Sequence, residues 1–290
     1  MEVELSLNFV MECIDCGHQT PYSPDTYSCP QCNSQWQEAR YDIEEISRRL
    51  PSLLLSRPFN LWRYRELLPV GALNQVVSLG EGGTPLIHAL NLGMMLGCPH
   101  IYIKDERQGP TASFKDRQAA ISINALKEAG LTEAVLASTG NVAISYSAYA
   151  ARAGIKLWAF LTSLVPAVKM RETALYGAQV VKVTGSYDQA KQTAAEFARQ
   201  RGLYLDMGAR TITSIEAMKT IAFEISEQLT AILGPRTRQQ ANSKPSPWRT
   251  PDWYIQAVSG GMGPIGVSKG FKELALMGLT RQVPAIAAIQ

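Results

Sequence analysis

At 290 residues the chain is long enough for about two domains of ordinary size. With 46% hydrophobic and 18% charged residues it has the material for a real core, so disorder is not the default, and a net charge of +3 with a pI near 8.5 is too mild to argue for nucleic-acid binding. No apolar stretch reaches the roughly 20 residues of a membrane span, and the acidic opening MEVELSLNFVMECIDC lacks the basic start of a secretory signal, so the sequence reads as cytoplasmic and membrane-free.

Residues 1–40 hold the first pattern, Cys13-x2-Cys16, then twelve residues, then Cys29-x2-Cys32. Two such pairs bring four thiolates to the corners of a tetrahedron, the arrangement zinc prefers at a structural site. With four sulfurs no position is left for water, so the metal is expected to stabilise the fold and not to catalyse. Gly17, Pro21 and Pro30 supply turns, and His18 stays outside the ligand set. The alternatives are two disulfides, which a cytosolic compartment disfavours, or buried thiols. Cys98 reads as a core or turn thiol.

Residues 41–83 form a connector, with a short polar helix from Asp42 to Leu50 and an aromatic, basic segment, RPFNLWRYRELLP, suited to packing along a larger body. The glycine-rich turn GEGGTPL then opens an α/β region over 84–290, with a small subdomain expected at about 116–205 inside a larger one. Strands are predicted at Ile101 to Lys104, Ala134 to Ser138, Lys156 to Thr162, Gln179 to Thr184, Trp253 to Val258 and Ala285 to Ile289. Between them lie amphipathic helices: one from Tyr187 with Ala190, Ala194, Phe197 and Ala198 on one side, and one with Ile215, Met218, Ala222, Ile225, Leu229 and Leu233. Thr213 and Glu216 have the spacing of a capping box for the second. This alternation argues for parallel sheets with helices on their faces. The polar, proline-bearing insertion Gly234 to Asp252 reads as a surface loop.

Three small-residue loops each open a helix, where free backbone N–H groups and the helix dipole favour an anion. In GPTASFKDR, Ser113 and Asp116 have capping-box spacing and place Lys115 in the first turn of a helix that stops at Gly130. The dipole repels a cation there and favours the neutral, nucleophilic amine; the alternative is a lysine that reaches water. In STGN, Ser138, Thr139 and Gly140 offer donors to a carboxylate and Asn141 a side-chain amide, or the turn is an ordinary cap. In SGGMGP, Ser259, Gly260, Gly261, Met262 and Gly263 let a phosphate approach closely, with Pro264 expected at the first helical position. The order of a nucleotide-binding P-loop is absent.

A lysine, a carboxylate turn and a phosphate cradle together describe a pyridoxal-phosphate enzyme. The four-cysteine ribbon, LWRYRELLP, SLGEGGTPL, KDERQGPTASFKDR, STGN, SAYAARAG, EAMKTIAFEISEQL and SKGFKEL resemble, in the same order and over nearly the whole sequence, threonine synthase and its relatives in the tryptophan-synthase-β-like group. The resemblance implies the fold type II architecture of two parallel-sheet α/β subdomains, here behind an N-terminal zinc ribbon. It implies that Lys115 bonds the cofactor and then moves protons, that Asn141 meets its ring hydroxyl, that Ser138 to Gly140 hold the substrate carboxylate, and that Ser259 to Gly263 bind its phosphate. The implied reaction converts O-phosphohomoserine and water to threonine and phosphate, on a small-molecule amino-acid substrate and in a possible homodimer.

The pattern departs from the group at several places. Gly109 and Ala112 stand where asparagine and glycine are usual, Val142 where threonine follows the asparagine, and Ile212 and Ser214 where proline and arginine are usual. The loop SGGMGPI resembles that of cysteate synthase, which makes a β-replacement enzyme the alternative reaction. The resemblance also implies a sequence that is incomplete at its C-terminal end, Gln290, and in which no residue is assigned to face the pyridine nitrogen; a non-catalytic relative acting by protein contacts is the alternative from another class.

Overall fold

A computed structural model describes residues 9–24, 26–71, 75–234 and 248–290. Of the polar insertion, residues 235–247 lie outside the described residues, as do 1–8 of the acidic opening and 72–74 of the connector.

The first unit is a three-stranded antiparallel sheet of β1 (Phe9–Cys13), β2 (Gln19–Thr20) and β3 (Gln37–Tyr41), in the order β2-β1-β3. Along β1 the buried Phe9, Met11 and Cys13 alternate with Val10 and Glu12, so one face carries the small apolar core. Each cysteine pair is wrapped by the same tight turn: the Gly17 N–H donates to the Cys13 carbonyl and the Asn33 N–H to the Cys29 carbonyl, both at 2.9 Å. Gly17 and Asn33 take φ of 73° and 60°, the left-handed region that glycine and asparagine tolerate best.

The connector helix α1 (Ile43–Leu54) begins where Asp42 accepts the Glu45 N–H at 2.9 Å and runs one turn past its expected end. Ile46, Leu50 and Leu54, four apart, form its buried stripe. The segment Leu61–Leu67 makes 3-10 turns kinked at Tyr64 and buries Leu61, Tyr64 and Leu67.

The α/β region follows in the order β4 (Leu86–His88), α2 (Leu90–Met95), β5 (Tyr102–Lys104), α3 (Lys115–Glu128), β6 (Glu133–Ser138), α4 (Asn141–Ala153), β7 (Lys156–Thr162), α5 (Ala167–Leu175), β8 (Gln179–Val183), α6 (Tyr187–Arg201), β9 (Tyr204–Asp206), α7 (Ile212–Leu233), β10 (Trp253–Ala257), α8 (Met262–Leu276) and β11 (Ala285–Ile289). A four-stranded parallel sheet, β8-β7-β6-β9, is covered on both faces. Leu136, Leu157 and Ala159 meet Ala119, Ile123, Ala143 and Tyr146 of α3 and α4 on one side, while Val135 and Phe160 meet Ala194 and Ala198 of α6 on the other. The alternation of neighbours along one strand between two hydrophobic layers is why these strands read as near-continuous apolar runs.

Beyond this sheet, β10 and β11 pair in parallel, and β4 and β5 form an antiparallel ladder. The strand predicted at Ile101 to Lys104 therefore belongs to an antiparallel pair and not to a parallel one. Helices α7 and α8 pack in close contact: a Cβ added at Gly266 would lie 2.3 Å from the Ile215 carbonyl oxygen, and one at Gly270 would lie 2.7 Å from that of Lys219.

Candidate active site and metal centre

Lys115 is the first residue of α3, and the turn before it is built differently from the expected capping box. Ser113 Oγ accepts the Lys115 N–H at 3.3 Å, but the Asp116 carboxylate folds back to accept the Thr111 N–H at 2.9 Å and the Thr111 hydroxyl. Aspartate in the first turn is still favourable to the dipole; its hydrogen bonds, however, hold the preceding loop. In that loop Ala112 sits at φ 55°, the left-handed region, where the resembling sequences place glycine. Thr111 Oγ1 lies 2.8 Å from Ser145 Oγ, which ties the lysine loop to the first turns of α4.

The Lys115 ammonium lies 4.4 Å from the Phe114 ring centroid. Burial depresses its pKa from the ordinary lysine value to about 8, and the Asp206 carboxylate partly opposes the shift. Desolvation is thus the leading cause. An amine with a pKa near 8 is appreciably neutral at physiological pH, as a nucleophile that attacks a carbonyl must be.

Asp206, at the end of β9, escapes a reading of the sequence because its strand is three residues long and carries no periodic signal. The Tyr146 hydroxyl donates to its carboxylate at 2.6 Å and the Gly208 N–H at 2.8 Å, and burial raises its pKa. Tyr146 also lies 2.9 Å from Ser122 Oγ and accepts from Gln118 Nε2 at 3.3 Å. Lys115, Gln118 and Ser122 share one face of α3 at i, i+3 and i+7, so a polar stripe leads inward from the lysine to the Tyr146–Asp206 pair. Gln118 Oε1 is buried there with no hydrogen-bond partner among the described residues.

The second loop follows β6. Ser138 Oγ accepts the N–H groups of Gly140 at 3.0 Å and Ala143 at 3.2 Å, so this side chain braces the start of α4. Asn141 Oδ1 accepts from the Lys169 ammonium of α5 at 2.8 Å, and the Lys169 side chain lies over Gly140, 2.6 Å from where a Cβ would stand. Thr139 and Asn141 are exposed.

The third loop follows β10. Gly261, at φ 75°, caps α8, whose first residue is Met262, so Pro264 is the third helical residue and not the first. It still occupies a position whose N–H would have no intrahelical partner. Among the described residues no acceptor meets the N–H groups of Gly260, Gly261, Met262 or Gly263. A Cβ added at Gly260 or Gly261 would meet nothing within 4 Å, whereas one at Gly263 would strike the Gln256 side chain at 2.4 Å. Open glycines with unclaimed amides at a helix N-terminus suit a phosphate. No hydrogen bond among the described residues joins this loop directly to the other two. Its link runs through α8 packed on α7, and α7 on α3, where Thr213 Oγ1 lies 2.7 Å from Ser122 Oγ. Thr213 therefore does not cap α7, whose cap position is Thr211, and Glu216 is taken up by Lys219 and Lys269, each 2.6 Å away.

An amine of lowered pKa, a side-chain amide and an unclaimed amide cradle fit the requirements of pyridoxal phosphate. The sequence agrees: the pattern of the family described as pyridoxal-phosphate dependent enzyme matches residues 77–290. The chain belongs to this family. It is 34% identical to the threonine synthase of Methanocaldococcus jannaschii over 97% of its own length and 65% of the relative's, and 28% identical to that of Methanosarcina acetivorans over 97% and 64%. It therefore spans slightly less than two thirds of these relatives. The fold is similar to that of diaminopropionate ammonia lyase from Escherichia coli (TM-score 0.61, 16% identity, 74% of this protein and 57% of that one) and of a threonine deaminase from Solanum lycopersicum (0.56, 21%, 84% and 55%). The mixed α/β architecture with its parallel sheet is that of the fold type II enzymes.

In this member of the family the four cysteines converge at the ribbon's tip. Their sulfurs lie within 4.8 Å of one another, with Cys13 Sγ 3.5 Å from Cys32 Sγ and Cys16 Sγ 3.6 Å from Cys29 Sγ. A tetrahedral zinc with bonds of about 2.3 Å separates its sulfurs by about 3.8 Å, so the set fits zinc. All four cysteines are free thiols, not disulfides. His18 is not part of the cluster, and Cys98 is exposed in the turn after α2, which excludes the core reading. No helix among the described residues is long and apolar enough to cross a membrane.

Proposed function

We propose that the protein performs a lyase reaction of the threonine-synthase type, converting O-phosphohomoserine and water to threonine and phosphate. The observation that carries the reading is Lys115 at the head of α3, its amine brought down to about 8 by burial, in a protein 34% identical over 97% of its length to a threonine synthase. Pyridoxal phosphate, when bound, supplies the electron sink that stabilises carbanion charge on the substrate. Lys115 Nζ holds the cofactor and afterwards takes or returns a proton at the substrate's reacting carbons. The amides of Gly260 to Gly263, with Ser259, hold the phosphate; the backbone of Ser138, Thr139 and Gly140 takes the substrate carboxylate. The Asn141 amide orients the ring once Lys169 yields its hydrogen bond. The Cys13, Cys16, Cys29 and Cys32 zinc holds the ribbon together. Residues 1–40, 41–83 and 84–290 act in this reading as ribbon, arm and catalytic body of a cytoplasmic enzyme that pairs as a homodimer and binds no nucleic acid.

The test is turnover by the purified, cofactor-loaded protein. Threonine and phosphate released in equal amounts from O-phosphohomoserine support the reading. Product that appears only when sulfite replaces a β-substituent transfers it to the cysteate-synthase type, and a bound cofactor with no turnover favours the non-catalytic alternative.

A further inference from the structure

The ribbon is more than an appendage at the N-terminus: β3 is held by Lys269 of α8, whose ammonium donates to the Ala39 carbonyl at 2.5 Å, and by Lys219 of α7 over the Tyr41 ring, and a second set of its contacts falls on one short piece of the catalytic body. Tyr27 lies between the two cysteine pairs, two residues before Cys29. Its hydroxyl accepts the Leu205 N–H of β9 at 3.1 Å, and its ring stands 6.2 Å from that of Tyr204. β9 is an edge strand, so this bond occupies a backbone group that the sheet leaves open. Further along, Arg210 donates to the Gln35 side chain and its guanidinium lies 5.9 Å over the Trp36 ring, beside Cys32 and its turn. Ile212 completes the apolar cluster of Phe9, Met11 and Ala39. The ribbon thus grips Tyr204 to Ile212 at its start, its middle and its end.

Within the gripped segment lies Asp206. It points to the same side of β9 as Tyr204 and ends at Tyr146 of α4, whose hydroxyl in turn meets Ser122 on the Lys115 face of α3. Gln118, on that same face, donates to the Tyr146 hydroxyl at 3.3 Å, and the Asp206 charge opposes the lowering of the Lys115 pKa by burial. The neighbouring Asp116 is spent on Thr111, and Lys169 on Asn141.

We propose that the metal-bound ribbon is the positioning module of the cofactor lysine: through Tyr27 it holds the Tyr204 to Ile212 segment so that Asp206 stays bonded to Tyr146, which meets Ser122 and Gln118 on the face of α3 that Lys115 heads. Tyr27 and Asp206 are positioning residues, and the proposal rests on the reading of Lys115 as the lysine that bonds the cofactor. It assigns the zinc site a role in the reaction centre without contact to substrate. Loss of the metal releases Tyr27, lets β9 and its turn relax, and removes a carboxylate that favours the charged amine.

The experiment reads Lys115 itself. In the full, zinc-loaded protein before pyridoxal phosphate is added, limiting acetic anhydride labels lysines in proportion to their neutral fraction, and mass spectrometry follows Lys115 labelling against pH. Asp206→Asn is expected to lower the midpoint of Lys115 by about one pH unit, since an opposite charge is removed from a buried site. Tyr27→Phe, which keeps the ring and the zinc but loses the acceptor oxygen, is expected to lower it in the same direction by a smaller step, with no further change when combined with Asp206→Asn. Chelation of zinc from the wild type is expected to reproduce the Tyr27→Phe shift. A wild-type midpoint in zinc-replete Tyr27→Phe and in chelated protein would overturn the proposal, as would an unshifted Asp206→Asn. Because no cofactor takes part, failure here is separate from failure of the proposed reaction, which the turnover assay reads.

Discussion

Arg117 and Glu224 meet inside the protein in a two-pronged ion pair, Nη1 to Oε1 at 2.7 Å and Nη2 to Oε2 at 2.8 Å, with both side chains essentially shut off from solvent. The pair bolts α3 to α7, and it is completed by the Lys104 ammonium 2.6 Å from Glu224 and by Glu106 against the other side of the guanidinium. Removing one member of such a set leaves charge buried without a partner. Glu224→Ala should therefore cost about 3–5 kcal/mol in a urea unfolding curve. The exposed Glu44–Arg48 pair on α1 gives the contrast, with Glu44→Ala changing stability by about 0.5 kcal/mol or less.

Acid should dismantle the same network. The Arg117 guanidinium and the Lys104 ammonium hold the Glu224 carboxyl down at about 2, against the opposing effect of burial. A carboxylate whose folded pKa lies below its unfolded value contributes stability that is complete above about pH 4.3 and fades as pH falls toward 2. Thermal midpoints taken from about pH 6 downward should drop steeply below about pH 4.5. In Glu224→Gln that part of the slope should flatten; an unchanged slope would place the acid sensitivity in other carboxyls.

Ala112 carries a side chain in the left-handed region at φ 55°, at the turn that delivers Lys115. A non-glycine residue there costs about 1–2 kcal/mol, and glycine's greater freedom in the unfolded state returns part of that difference. Ala112→Gly is thus expected to stabilise the protein by about 0.5–1 kcal/mol, seen as a higher denaturant midpoint with an unchanged slope. The opposite change, Ala112→Val, should destabilise it, since a β-branched side chain tolerates this conformation less well.

The zinc site makes a separate prediction. The purified protein should hold one zinc, released by a strong chelator with exposure of the four thiols of Cys13, Cys16, Cys29 and Cys32. Loss of the metal should melt β1 to β3, whose buried apolar cluster among the described residues is the small set Phe9, Met11 and Ala39, while the parallel sheet keeps its circular dichroism. Cys16→Ser should weaken zinc retention in the same titration. A protein that keeps its thiols shielded after chelation would contradict a metal-built ribbon.

What can be read from sequence follows the reach of each signal. Lys156–Thr162 and Ala285–Ile289 are legible to the residue because apolar runs end at charged or turn-forming neighbours. The helix starting at Tyr187 is equally plain, and there Ser186 and Gln189 do form a capping box. Ser113 with Asp116 and Thr213 with Glu216 have the same local spelling and form none. The groups they would use are claimed by Thr111, Ser122 and two lysines, partners set by the tertiary fold and invisible to a local rule. Asp206 is hidden for the same reason: nothing in YLDMG announces that Tyr146, sixty residues earlier, will donate to it. The cysteine spacing, by contrast, carries its own geometry and leads directly to the cluster.

The central claim is that Lys115 bonds pyridoxal phosphate, and an absorbance spectrum tests it most directly. Wild type mixed with pyridoxal phosphate should develop a band near the edge of the visible range, and borohydride should fix the cofactor onto Lys115, as read by peptide mass. In Lys115→Ala both the band and the fixed label should disappear while the fold, followed by circular dichroism, persists. A band that survives the loss of Lys115, or a label fixed on another lysine, would contradict the account.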